Sequence, residues 1–91
     1  MMKIVAVCGM GIGTSVLLKM NAEKVLAQLG IEATVTAADM STARQLGFEA
    51  NIVLTTPELV PSLQGLPAEI ISIDHFFDLA ELNRKLSAAL L

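Results

Sequence analysis

Tryptophan and tyrosine are missing from this chain of 91 residues, and cysteine and histidine occur once each. A single cysteine cannot close an internal disulfide, which points to a reducing, cytoplasmic setting. The aromatics are three Phe residues, so the stacking platforms of single-strand nucleic-acid binders are lacking. Six scattered Lys and Arg residues against nine acids leave a formal charge of -3, which gives no electrostatic basis for a phosphate-backbone partner. Although 54% of the residues are hydrophobic, no unbroken apolar run nears the ~20 residues that cross a bilayer. The first residues pass from a short apolar run straight into glycines, as an inner strand does and a signal peptide does not. No Pro, Gly or Ser-rich linker, repeat or low-complexity tract divides the chain, so one domain spanning 1–91 is expected.

What is present is an alternation of strand-like and helix-like segments. Ile4-Val5-Ala6-Val7 is continuously apolar, the mark of a central parallel strand covered on both faces. Leu18, Ala22, Val25, Leu26 and Leu29 recur at helical spacing, with Lys19, Asn21, Glu23, Lys24 and Gln28 on the outer face and Gly30 closing the helix. Ile31 to Ala38 alternates as a second strand nearer an edge, and Asp39 to Leu46 reads as a short helix. Ile52-Val53-Leu54 predicts a third strand, Pro57 to about Leu63 a short helical segment, and Ile70 to Ile73 a fourth strand. The last helix, Asp78 to Leu91, sets Leu79, Leu82, Leu86 and Leu90 on one face, with Glu81 four residues ahead of Lys85 on the other. Right-handed crossovers then favour a four-stranded parallel sheet of order 2-1-3-4 with helices on both faces, Rossmann-like or flavodoxin-like. Ligands of such sheets sit beyond the carboxyl ends of the strands where the winding reverses, here between the first and third strands.

The loop at that point is Val7-Cys8-Gly9-Met10-Gly11-Ile12-Gly13-Thr14-Ser15. A strand entering a helix through glycines aims backbone N–H groups at one spot, backed by the positive end of the helix dipole, and so suits a phosphate-sized anion. The same place favours a thiolate, so Cys8 reads as a nucleophile with a lowered pKa, where a lone cysteine elsewhere would be an inert small hydrophobe. Gly9, Gly11 and Gly13 permit positive φ, and Thr14 and Ser15 bring hydroxyls to the helix start. The loop is not a Walker loop, which needs Gly-Lys-Ser/Thr, and its Gly-x-Gly-x-Gly spacing departs from the dinucleotide fingerprint. Cys-x5-Thr-Ser does share its frame with the Cys-x5-Arg-Ser loop of small tyrosine phosphatases, with Thr14 where those have arginine.

The stretch VCGMGIGTSVLLKMNAEKVL resembles the start of the enzyme IIB components of the bacterial phosphoenolpyruvate-dependent sugar phosphotransferase system, in particular the ascorbate and galactitol class, and Lys19-Met20 leans toward ascorbate. The resemblance implies that Cys8 accepts phosphate from a histidine of a IIA component and passes it to a sugar held by a membrane-embedded IIC component. Gly9, Met10, Gly11, Ile12, Gly13, Thr14 and Ser15 would form the phosphate-binding loop, with neither metal nor cofactor and no membrane insertion of the chain itself. The alternatives are a small cysteine-dependent phosphatase, for which Arg44 and Arg84 lie outside the loop and no clear acid lies within it, and a non-catalytic anion-binding module. Met10 and Ile12 either offer partners an apolar rim or fold back over the helix. His75 reads as solvated or capping, Asp74 as a helix cap, and Thr55 and Thr56 as hydroxyls beside the crevice that could contact phosphate or a neighbouring carbonyl.

Overall fold

A computed structural model describes residues 2–9 and 12–91, the side chain of Ile12 excepted. The elements run β1 (Met2–Val7), α1 (Ile12–Gln28), β2 (Ala33–Ala38), α2 (Met40–Leu46), β3 (Ile52–Thr55), a 3-10 helix (Pro57–Leu63), β4 (Glu69–Ser72) and α3 (Leu79–Leu90). The four strands are parallel in the order β2-β1-β3-β4, as the alternation of segments predicts. β1 is central because its apolar residues are needed on both faces. Ile4, Ala6 and Cys8 join the core under α1 and α3, while Val5 and Val7 join the core under α2 and the 3-10 helix.

α1 buries Leu18, Ala22, Val25 and Leu26, the stripe expected from their spacing. It stops at Gly30, whose φ of 71° is the left-handed value that glycine adopts without a Cβ clash. The Ile31 N–H then donates to the Leu26 carbonyl at 2.9 Å and satisfies one carbonyl of the last turn. α3 buries Leu82 and Leu86 completely, each contributing about 1.5 to 3 kcal/mol through removal from water, so either leucine changed to alanine would loosen the α1–α3 layer.

Three features depart from the periodicity argument. Asn21, placed on the outer face of α1 by its polarity, is buried, and its Nδ2 donates to the Phe76 carbonyl at 3.0 Å. Glu81, placed on the solvent face of α3, is buried too, whereas Leu79 is exposed. A polar residue near the edge of an apolar stripe goes inside when the adjoining loop offers partners, and periodicity alone does not register those partners. Strand limits also shift: β2 starts at Ala33, β3 runs through Thr55, and β4 covers Glu69–Ser72.

Candidate active site

Every strand of the sheet hands on to a helix at one edge, and the sequence decides how each helix start is treated. Asp39 caps α2, its carboxylate accepting from the Thr42 N–H at 2.7 Å. Asp78 caps α3 by accepting from the N–H groups of Ala80 and Glu81. Glu58 stands in the first turn of the 3-10 helix. α1, the helix that follows Cys8, has no acidic residue in its first turn; α2 has none there either, but it starts behind its Asp39 cap.

Cys8 lies one residue past β1, 6% exposed, with its backbone anchored from below. Its N–H donates to Ser15 Oγ at 3.0 Å, and the Ser15 hydroxyl in turn donates to the Ala38 carbonyl at 3.3 Å. Ser15 is fully buried, so its hydroxyl ties the ends of β1 and β2 to the first turn of α1 and is engaged within the protein. Thr14 hydrogen-bonds the thiol itself. The brace fixes where the sulfur sits relative to the helix start, and the threonine supplies a polar contact at the sulfur.

The thiol differs from the expectation of an activated thiolate. Burial pushes the Cys8 pKa up, the Thr14 hydrogen bond pulls the other way, and the Glu58 carboxylate raises it further. The net direction is upward, toward the thiol form, and not downward as a helix start by itself would have it. The glycines correct a second expectation: among the described residues only Gly30 and Gly65 have positive φ, so Gly9 and Gly13 adopt conformations open to other residues. A Cβ on Gly9 would reach Leu59 Cδ2 at 3.4 Å, and one on Gly13 would meet nothing within 4 Å. Gly13 keeps the helix start bare. Met10, Gly11 and the Ile12 side chain, which carry part of the predicted loop and its apolar rim, lie outside the described residues.

β3 brings two threonines to the same edge. Thr55 is fully buried, and its hydroxyl has no hydrogen-bond partner among the described residues. Thr56 begins the 3-10 helix, and its hydroxyl donates to Glu58 Oε1 at 2.8 Å. Glu58 is thereby held below the usual carboxylate range, chiefly by its own backbone N–H and also by Thr56.

Beyond β4, the loop of residues 73–78 is closed by a charge network that the sequence did not suggest. The buried Glu81 carboxylate accepts from the N–H groups of Asp74 and His75 at 2.7 and 2.9 Å and pairs with Lys85 at 2.9 Å. Burial alone would raise the Glu81 pKa, but Lys85 and the two N–H groups together bring it to about 2. Lys85 also donates to the Ser72 carbonyl. The capping role expected of Asp74 belongs to Asp78, and the ring of His75, expected to be solvated or capping, is exposed with its Nδ1 3.4 Å from Glu81 Oε1. His75, Asp78 and Glu81 bring ligand-type atoms within 4.8 Å of one another, yet Asp78 and Glu81 are engaged in the cap and the ion pair. The signal that could have found this network is the pairing of Glu81 with Lys85 just after a helix start.

A small parallel α/β domain with a lone cysteine between its central strand and an acid-free helix start falls in the class of open α/β sheets, whose ligands lie beyond the strands' carboxyl ends. The comparisons narrow it. Residues 3–88 match the family model described as "PTS system, Lactose/Cellobiose specific IIB subunit". The chain is 32% identical over 88 residues to an "Ascorbate-specific PTS system EIIB component" of Mycoplasma pneumoniae, covering 96% of this chain and 93% of that protein. Among solved structures it is similar to the lactose-specific IIB component domain of Streptococcus pneumoniae, with a TM-score of 0.65, 13% identity, and coverage of 98% of this chain and 94% of that one. A solution structure of an enzyme IIB subunit from Escherichia coli K12 matches at a TM-score of 0.49 and 15% identity, over 98% of this chain and 85% of the other. The chain belongs to the IIB components of the phosphoenolpyruvate-dependent sugar phosphotransferase system, the PTS. It is a phosphotransferase that works in sugar uptake. No described helix is long and apolar enough to cross a membrane.

Proposed function

We propose that Cys8 carries the phosphoryl group, and that residues 1–91 act as one IIB domain between a IIA donor and a membrane-embedded IIC acceptor. The observation that carries this reading is the acid-free start of α1 directly after the cysteine, at an edge where the other helices begin with their own carboxylates. A helix start without an acid suits an incoming phosphoryl of about -1.5 to -2 charge. In charging, the Cys8 sulfur attacks phosphorus, the N–P bond of a IIA phosphohistidine breaks, and the thiol proton goes to the departing imidazole nitrogen. In discharge the S–P bond breaks, a sugar hydroxyl bound by IIC takes the phosphoryl, and its proton returns to sulfur. A thiol that stays protonated at rest fits this exchange, because the imidazole that leaves needs the proton that sulfur gives up.

Gly9, Met10, Gly11, Ile12, Gly13, Thr14 and Ser15 form the cradle in this proposal, with Ser15 contributing its backbone N–H, since its hydroxyl braces Cys8 and Ala38. Thr14 stands where phosphatases place arginine. Arg44 is bonded to the Ser62 carbonyl and Arg84 stands on α3, so hydrolysis lacks a guanidinium clamp. The M. pneumoniae relative supports a sugar of the ascorbate or polyol class. Exposed Val16, Leu17 and Met20, on the first turns of α1, extend an apolar surface beside the cradle against which a partner would dock. The domain would act in the cytoplasm, where the donor proteins are phosphorylated.

The test is phosphorylation by phosphoenolpyruvate, the general phosphotransfer proteins and the cognate IIA. Intact-mass measurement should show one added phosphoryl group, absent from Cys8→Ser. Label that persists in Cys8→Ser would falsify the assignment. Transfer from the charged protein to ascorbate through the cognate IIC, with lactose inert, is the outcome expected of the proposed class.

A further inference from the structure

The edge of the sheet at which α1 begins also carries a carboxylate on the side of Cys8 facing β3. Glu58 stands three residues past the end of β3, the strand paired directly with β1. The β1–β3 register of Ile4 with Ile52, Val5 with Val53 and Ala6 with Leu54, continued by two residues, brings Cys8 level with Thr56. The Thr56 hydroxyl is held by Glu58 at 2.8 Å, and the side chain of the next residue, Leu59, lies against Gly9. The Glu58 carboxylate is thus held by its own turn on the β3 side of Cys8, with its charge exposed to solvent.

We propose that Glu58 sets how readily phosphocysteine releases its group, opposing the pull of the α1 N–H groups with a fixed negative charge and holding the Thr56 hydroxyl away from the phosphoryl. The inference rests on the reading of Cys8 as the phosphorylated residue. A carrier that only attracted its cargo would keep it, and the S–P bond must form in one encounter and break in the next. Before charging, the acid faces a neutral thiol and costs little. Once the sulfur holds a dianionic group, the repulsion is at its largest, and it is relieved when the S–P bond breaks and the group leaves on the sugar oxygen. The influence of Glu58 on the thiol's own ionisation is in the same direction.

The experiment uses Glu58→Gln and Glu58→Lys in the full chain. Gln keeps an oxygen that accepts from Thr56, so a purely structural role in the turn would leave the Gln variant unchanged. Two readouts are taken. The first is the rate of Cys8 alkylation by iodoacetamide at a fixed pH below the thiol's midpoint, expected to rise about twofold to threefold in Gln and further in Lys. The second is the equilibrium share of phosphocysteine against a limiting phosphorylated donor, expected to rise about threefold to tenfold in Gln, with onward transfer slowed to match. Both effects should shrink at about 1 M salt, where the screening length falls to about 3 Å. Equal phosphocysteine shares in wild type and Gln, or a change indifferent to salt, would overturn the role of Glu58 while leaving Cys8 as the carrier. A wild-type chain that takes no phosphoryl under these conditions would overturn the Cys8 reading and this one together.

Discussion

The loops that follow β1 and β4 reach the same edge of one sheet and are built in opposite ways. The β4–α3 loop answers its own electrostatics. Asp78 caps α3, Glu81 takes two backbone N–H groups, and Lys85 neutralises Glu81. The β1–α1 loop has no charged side chain, and the helix behind it begins without an acid. The difference teaches what a site for a transient anion requires: a framework that is held without using the donors meant for the cargo. Ser15 supplies such a framework, fixing Cys8 through one buried hydroxyl while no acid stands in the first turn of α1.

Breaking the closed loop should cost most. Glu81→Ala leaves the N–H groups of Asp74 and His75 without their acceptor and Lys85 without its buried counter-charge, and is expected to destabilise the fold by about 3 kcal/mol in urea unfolding. The same group sets an acid limit. Its folded pKa of about 2 lies below the usual glutamate value of about 4.3, so its contribution is present in full above that value and is lost as pH falls toward 2. Glu81→Gln should flatten that part of the stability profile.

Closing the open loop is the converse test. Gly13→Asp adds a carboxylate where a Cβ meets nothing, so the fold should be kept while phosphoryl acceptance from IIA falls by about tenfold, with Gly13→Asn nearer to wild type. Ser15→Ala removes the brace and leaves the buried N–H of Cys8 unsatisfied, with an expected loss of about 1 to 2 kcal/mol and a matching fall in chemical denaturation midpoint. The smallest effect is expected of Thr14→Arg, which adds a guanidinium without the supporting contacts that would aim it. It should shorten the life of phosphocysteine in buffer by about twofold, read by the decay of intact mass.

The order of the sheet and the place of the cysteine loop were legible because both rest on local pattern. The unbroken Ile4–Val7 run, the stripe from Leu18 to Leu26 and Gly30 each mark their element without reference to distant residues. What escaped depends on contacts between segments far apart in sequence. Asn21 goes inside because the Phe76 carbonyl, 55 residues away, is there to receive it. Glu81 goes inside because the loop before α3 turns its N–H groups toward it. The direction of the thiol's shift escaped for a related reason: burial raises the Cys8 pKa, and depth of burial is a property of the packed core that a loop sequence does not display. Glu58 is an unremarkable acid in the sequence until the pairing of β1 with β3 sets its turn beside Cys8.

The central claim is that the cargo binds at the acid-free start of α1. Amide NMR of the ¹⁵N-labelled protein before and after phosphorylation tests it directly. The N–H resonances of Gly13, Thr14 and Ser15 are expected to move downfield as they bond the phosphoryl oxygens, while those of Thr42 at the start of α2 and of Ala80 and Glu81 at the start of α3 stay in place behind their aspartate caps. Shifts concentrated at the α2 or α3 start, with α1 unmoved, would contradict the account.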